Sequence, residues 1–198
     1  NLKKMSVSGA LFDEVKLLDV SKNRICLLTS QQVYDYVTDW AKEFDPEFYD
    51  ILTEKPDYTK AMLSIDRDVP KPRKDIAKWN EAKEYFAYFF NELYTPCHTI
   101  PENIKSEDAK AFLTEYKQVY NAADDRQAWF DKIKLVAPNL GFAAETKEYK
   151  ANPENFKGSA GDLSTILRIA VTGRRNTPDL CSIMQVLGKE RVEKRIDE

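Results

Sequence analysis

Apolar residues recur every three or four positions along most of the chain, and this spacing constrains the fold more than any other feature. It is clearest near the end, where Leu163, Ile166 and Leu167 share one helical face and Leu180 and Ile183 begin a second run. Residues spaced in this way can be buried together against a neighbouring element. No alternating pattern typical of a strand competes with it. We therefore predict an all-α protein.

The composition agrees with a helical fold. The chain has 198 residues, of which 42% are hydrophobic and 32% are charged, and it contains only 6 glycines. This length can bury a core in one domain or in two small ones. The stretch TPCHTIPEN, residues 95–103, contains two prolines and reads as a turn between two helical clusters.

Local signals predict individual helices. Thr29 and Gln32 resemble a capping box that begins a helix over about 30–43. Pro46 suits the first turn of a following helix, and Pro56 should stop that helix.

The next stretch divides into an extended segment and a helical one. Each proline in residues 69–73 disfavours the helical conformation of the residue before it, so this segment should be extended. Residues 73–94 carry many aromatic side chains on one helical face and predict one long, central helix.

Charge is distributed unevenly. The formal net charge of -3 argues against a generally cationic surface, and residues 30–68 hold ten acidic side chains against four basic ones. Two basic segments stand out, one around Arg73 and one over residues 150–178. A polyanion could be bound only there, because the acidic stretch would repel it.

Several classes of site are excluded by what the chain contains. Three scattered cysteines fit a reducing compartment, and they predict neither a disulfide framework nor a metal site. The single histidine, His98, has no second histidine or acidic cluster beside it, so we interpret it as a loop residue. No apolar run of 18 residues or export signal is present, so we expect a cytoplasmic protein without a membrane span.

The sequence GRRNTPDL, residues 173–180, is the strongest candidate for a binding site. Thr177 suits a helix N-cap and Pro178 the first helical turn, while Arg168, Arg174 and Arg175 add positive charge nearby. Backbone N–H groups, a hydroxyl and guanidinium groups aimed at one place suit unstacked nucleotide bases and their phosphates. The alternative is a solvated loop with incidental arginines.

The segment KPRK around Arg73 has the same ambiguity. An extended, proline-flanked segment can present an arginine to a base edge. Its alternative interpretation is a hydrated linker.

The chain resembles bacterial-type glutamyl-tRNA synthetases in three places that occur in the family's order. GDLSTILRIAVTGRRNTPDLCSIMQVLGKERVEKRI, residues 161–196, is similar to the extreme C-terminus of the family. SGALFDEVKLLDVSKNRI, residues 8–25, is similar to the segment just after its KMSKS-type loop, and EYFAYFF, residues 84–90, is similar to its aromatic helix. KKMSVSG, residues 3–9, matches the KMSKS loop itself poorly, because the second lysine is missing.

The resemblance implies an anticodon-binding part of such a synthetase. Residues 1–28 would be the end of the stem-contact region, and residues 29–100 and 101–198 would be two helical anticodon-binding subdomains. The parent protein would attach glutamate to tRNA(Glu) with ATP and magnesium, held in a catalytic half outside this chain. This chain alone would hold no cofactor, no metal and no catalytic residue. It would be a monomer that binds tRNA(Glu), with tRNA(Gln) as a second candidate, and neither DNA nor a membrane.

The resemblance also implies which residues contact the anticodon. Arg168, Thr177, Pro178 and Leu180 match family residues that contact its bases. Arg73 is the nearest match to an arginine that senses the third base and so separates glutamate tRNA from glutamine tRNA. We add Arg174 and Arg175 on charge and position, which completes the following predicted set: Arg73, Arg168, Arg174, Arg175, Thr177, Pro178 and Leu180.

The sequence also raises two other classes of function. The acidic stretch and the aromatic helix could form a docking face, which would make the chain a helical protein–protein interaction domain without enzymatic activity. A free-standing hydrolase or transferase is disfavoured, because no catalytic constellation or phosphate-binding glycine motif is present.

Overall fold

The computed structural model describes residues 13–97 and 99–198 of the chain. Within these ranges the regular elements are helices, and the only β-type pairing is an isolated bridge between Ala143 and Ser159. The predicted all-α fold is confirmed. The α-helices of the described residues are α1 (Glu14–Ile25), α2 (Ser30–Phe44), α3 (Pro46–Glu54), α4 (Pro56–Ser64), α5 (Ala82–Tyr85), α6 (Ser106–Val119), α7 (Arg126–Val136), α8 (Thr146–Ala151), α9 (Ala160–Thr172), α10 (Leu180–Leu187) and α11 (Lys189–Asp197).

One hydrophobic core runs through the helices. It includes Val33 from α2, Phe112 from α6, Leu163 from α9 and Val192 from α11, each fully buried. Helix α2 packs on α3 and α4, while α11 packs on α6 and α9. Helix α10 also contacts α4, which joins the end of the chain to its first part. The boundary near residue 100 between two subdomains stays a prediction.

The predicted capping box is present at the start of α2. The Gln32 N–H donates to the Thr29 hydroxyl at 3.2 Å, and the Thr29 N–H donates to the Gln32 side chain at 3.0 Å. Pro46 begins α3 as predicted, with Asp45 as its N-cap. Pro56 lies after the end of α3 and is also the first residue of α4, a position where its missing N–H costs nothing.

The prediction of one long helix over residues 73–94 is wrong. Helix α5 covers only Ala82–Tyr85, and single 3-10 turns lie on either side of it, Trp79–Glu81 and Ala87–Phe89. The consecutive side chains Tyr88, Phe89 and Phe90 are all buried. Successive residues of an α-helix point about 100° apart, so a regular helix would turn one of these rings toward solvent.

Backbone carbonyls freed by this break find partners elsewhere. The Glu84 carbonyl accepts a hydrogen bond from Arg174 Nη2 at 2.6 Å. The Phe89 carbonyl accepts from Arg191 Nη1 at 2.7 Å and from the Tyr58 hydroxyl at 2.6 Å. Side chains from distant parts of the chain therefore replace the missing helical hydrogen bonds.

The segment before this break, residues 69–73, is neither helix nor strand and bends at residues 69–71, and its predicted extended conformation stays a prediction. Helices α1, α4, α8 and α11 were not predicted. Of the helices that the structure describes, none combines the length and apolar character that crossing a membrane requires. The KKMSVSG segment, residues 3–9, and His98 lie outside the described residues.

Candidate nucleic-acid interface

The loop of residues 173–179 connects α9 to α10, and a glycine fixes where it begins. Gly173 ends α9 with a φ of 69°, in the left-handed region that favours glycine. A Cβ added there would lie 2.9 Å from the Thr95 carbonyl oxygen. The chain must therefore turn away from α9 at this glycine, and it passes close to the backbone of another segment as it does so.

The other end of the loop is fixed by Asp179. Its carboxylate accepts from the Ser182 N–H at 2.9 Å and from the Ser182 hydroxyl at 2.8 Å, so Asp179 is the N-cap of α10. The prediction that Thr177 is the N-cap is wrong by two residues, because α10 begins at Leu180. The Thr177 hydroxyl has a different partner.

Arg168 binds the loop from inside the molecule. Its Nη1 donates to the Thr177 hydroxyl and, at 2.9 Å, to the Pro178 carbonyl. The Arg168 side chain is half-buried, and this burial lowers the pKa of its guanidinium. Arg168 thus contacts the predicted loop, but one of its guanidinium nitrogens is already engaged in hydrogen bonds that hold the loop's conformation.

Three predicted contact residues are buried, Thr177 and Pro178 within this loop and Leu180 at the start of α10. Thr177 is 5% exposed and Leu180 is 1% exposed, and Pro178 is buried as well. The placement of Thr177 does not match the expectation that its hydroxyl faces a bound base, since Arg168 already occupies that oxygen. In this conformation the three side chains support the loop.

Arg73 lies beside the same loop, although it is about a hundred residues away in the chain. Its Nη2 is 2.9 Å from Asp75 Oδ1, and its Nε donates to both Asp75 oxygens at 3.1 and 3.2 Å. The same Nη2 lies 3.4 Å from the Asn176 side-chain oxygen. Burial opposes the charge of Arg73, but Asp75 outweighs this and raises its pKa. The structure therefore brings the two basic segments together.

Arg174 and Arg175, which were included in the predicted set because of their charge and position, have different environments. Arg174 donates to the Glu84 carbonyl and lies over the rings of Tyr85 and Tyr88, 5.9 Å from each centroid, so it anchors the loop to the aromatic segment. Arg175 is exposed and donates to the Ile100 carbonyl at 3.1 Å. Of this pair, Arg175 is the one placed to meet a ligand from solvent.

Asp66, Arg67 and Asp179, which were not among the predicted site residues, hold the site in place. The Asp179 N–H donates to Asp66 Oδ2 at 2.9 Å. Asp66 has a φ of 54°, a conformation that aspartate tolerates better than most residues. Arg67 fixes this turn by donating to the Ile25 and Leu28 carbonyls at 2.9 and 3.0 Å. In the sequence, the alternating charges of Asp66, Arg67 and Asp68 were the one feature that could have indicated a structured turn here.

The surface formed in this way has Arg73, Arg175 and Asn176 at its edge. Guanidinium and amide groups can bind phosphate oxygens and base edges. Among residues 13–97 and 99–198, no group of three His, Cys, Asp or Glu side chains is placed to hold a metal ion. The arrangement suits binding of an anionic, unstacked nucleic acid.

Comparison with known proteins agrees with this chemistry. A family model described as an anticodon binding domain matches residues 32–198. The chain is 47% identical over 199 residues to a glutamate–tRNA ligase of Clostridium perfringens, covering 98% of this chain and 36% of that protein. It is 43% identical to one from Acetivibrio thermocellus, covering 99% and 36%, and 40% identical to one from Sorangium cellulosum, covering 98% and 34%.

These findings confirm the resemblance to glutamyl-tRNA synthetases that the sequence motifs indicated. The chain spans about a third of the length of these relatives. The family model covers most of the chain, from α2 to the last residue, and includes every predicted contact residue. The chain therefore belongs to the anticodon-binding domain family.

Proposed function

We propose that this chain binds the anticodon loop of tRNA(Glu), with tRNA(Gln) as a second candidate. The observation that carries the proposal is the contact of Arg73 with Asn176, which places one basic segment on the loop of the other. An unstacked anticodon offers base edges and phosphates together, and this edge of the molecule offers guanidinium and amide groups to both. The chain acts as a monomer in the cytoplasm.

The proposed roles of the predicted residues follow from their burial. Arg73 and Arg175 contact RNA, and Asn176, which the sequence analysis did not single out, joins them at the surface. Arg168 contacts RNA only with the part of its guanidinium that the loop leaves free, and it also positions the loop. Thr177, Pro178 and Leu180 maintain the loop's shape beneath that surface, and Arg174 anchors the loop.

The relatives are glutamate–tRNA ligases about three times as long as this chain. We propose that the whole protein containing this chain attaches glutamate to tRNA with ATP and magnesium bound outside this chain. This chain by itself contributes RNA recognition and no chemical step.

The proposal predicts different effects for half-buried Arg73 and exposed Arg175. Arg73→Gln should weaken binding of a tRNA(Glu) transcript by about 1–3 kcal/mol and reduce discrimination at one anticodon position, because a base-edge contact is lost. Arg175→Gln should weaken binding to all anticodon variants alike and reduce the log–log salt slope by about 0.7, the value of one single-strand phosphate contact. Fluorescence anisotropy titrations at several salt concentrations measure both quantities.

Lys147→Gln provides the matched control, since Lys147 is an exposed cation on α8, outside the loop of residues 173–179. It should bind every transcript as the unsubstituted protein does. Equal affinity of the unsubstituted protein for transcripts with the glutamate anticodon and with a changed anticodon would refute anticodon recognition.

A further inference from the structure

A second surface groove lies between α1, α2 and the turn around residues 77–80. Two cations, Arg24 and Lys78, line it, and no carboxylate does among the residues that the structure describes. Arg24 and Lys78 therefore supply positive charge at the groove itself, although Asp35 and Asp39 lie beside its aromatic side chains in the acidic stretch of residues 30–68.

Aromatic rings form one side of this groove. The rings of Tyr36 and Trp79 stack with centroids 5.6 Å apart and planes at 14°. Tyr36 is 50% exposed, and Trp40 continues the aromatic surface along α2. Exposed aromatic faces beside cations are the combination that binds single nucleotides, because bases stack on the rings while the cations hold phosphates.

The groove is held rigidly. The Ser21 hydroxyl donates to the Ala77 carbonyl at 2.6 Å, which joins α1 to the turn. Glu81 accepts from the Ala77 N–H at 2.6 Å, and its second oxygen is 4.0 Å from Lys78 Nζ. The Lys78 side chain nevertheless remains 54% exposed, so its ammonium group is accessible to a ligand.

The groove is also connected to the candidate interface. Arg73 and Trp79 are six residues apart, so the chain between them spans at most about 22 Å even when fully extended. Lys74 is exposed on this connecting segment. A single RNA can therefore touch both places.

We propose that this groove is a second RNA-binding site, which stacks one nucleobase on the Tyr36–Trp79 pair and binds the adjoining phosphates with Arg24 and Lys78. The inference rests on the proposed function, because the RNA that binds the groove is the same tRNA whose anticodon loop binds near residues 173–179. It adds a contact outside the loop of residues 173–179, and this contact does not depend on the anticodon sequence.

The charge test compares a double variant, Arg24→Gln with Lys78→Gln, against a control double variant, Lys110→Gln with Lys147→Gln. Both control lysines are exposed and lie outside the groove. Binding of a full tRNA(Glu) transcript is measured over a range of salt concentrations. The groove variant should reduce the log–log salt slope by about 1.4, the sum of two phosphate contacts, and the control should leave it unchanged.

The stacking test uses Tyr36→Ser, with circular dichroism to verify that the helices are retained. Loss of one stacked base should weaken binding about 5-fold or more, equally for transcripts with the glutamate anticodon and with a changed one. If this variant loses its helices, the charge variants decide the question.

The two proposals fail in different ways. Unchanged affinity and salt slope in the groove charge variant would overturn the groove site, while discrimination between anticodons would still stand. Loss of that discrimination in the unsubstituted protein would overturn anticodon recognition and leave the groove's salt effect intact. If Tyr36→Ser instead altered only self-association in analytical ultracentrifugation, the surface would be a protein contact and the RNA proposal would be wrong.

Discussion

Thr177 shows how one buried hydroxyl can determine the shape of an exposed loop. Its oxygen accepts from Arg168, whose guanidinium also binds the Pro178 carbonyl. Thr177→Val keeps the side-chain shape and removes this acceptor. A partly buried guanidinium left with an unpaired donor should lower the free energy of unfolding by about 1–3 kcal/mol, measured by urea denaturation.

Thr177→Ser should retain most of the stability, because the hydroxyl is restored. Thr114→Val is the matched control, since the exposed Thr114 hydroxyl donates only to a carbonyl of its own helix. It should change stability by less than about 0.5 kcal/mol. Equal stability of Thr177→Val and the unsubstituted protein would show that Arg168 does not depend on this hydroxyl.

At the scale of elements, the end of α9 depends on a residue without a side chain. Gly173→Ala would place a Cβ 2.9 Å from the Thr95 carbonyl oxygen, at a φ of 69° that alanine adopts at a cost. We expect a loss of more than about 1 kcal/mol in the free energy of unfolding. Weaker RNA binding should accompany it, because loop 173–179 begins at this residue.

Gly161→Ala is the contrasting substitution in the same helix. The nearest atom to a Cβ at Gly161 is the Ser159 hydroxyl oxygen at 3.4 Å, and the backbone there is helical. The substitution should stabilise the protein by up to about 1 kcal/mol, because alanine favours a helix over glycine. Thermal unfolding of the two variants side by side tests both expectations, and a destabilised Gly161→Ala would contradict this account.

The elements also show what sequence reasoning can reach. Periodicity, a capping box and the position of Pro46 located α2, α3, α9 and α10, because those signals are local. The broken segment around α5 could not be predicted in this way. Its break is stabilised by Arg174 and Arg191, whose hydrogen bonds to Glu84 and Phe89 exist only after folding.

The same distinction holds for the candidate site, where local features could be predicted from the sequence and features that depend on folding could not. Residue type and charge drew attention to Arg73 and to the loop of residues 173–180, and the structure places them together. Burial could not be inferred, because the buried positions of Thr177 and Leu180 depend on how the loop packs in the folded chain. Asp66 was missed for the same reason, since its partner Asp179 is more than a hundred positions away.

At the scale of the whole molecule, charge should determine how binding responds to salt. The chain is negative overall, with its acidic side chains concentrated in residues 30–68. Only a local set of cations can therefore meet RNA. If about four phosphates of a single-stranded loop are contacted in total, the log–log salt slope for binding should be about -3.

A series of anisotropy titrations with one tRNA(Glu) transcript at increasing salt measures this slope. A transcript with a changed anticodon should bind more weakly with nearly the same slope, because base contacts carry little salt dependence. An affinity that does not change with salt would contradict an electrostatic mode of binding.

The hydrogen bond from the Asp179 N–H to Asp66 limits how the loop of residues 173–179 can be transplanted into another protein. The short peptide GRRNTPDL, or a protein shortened to its last hundred residues, would lack Asp66, Arg73, Glu84 and Thr95, all of which touch that loop. Its shape is thus a property of the assembled chain. Grafting it onto another scaffold would require importing those distant neighbours as well.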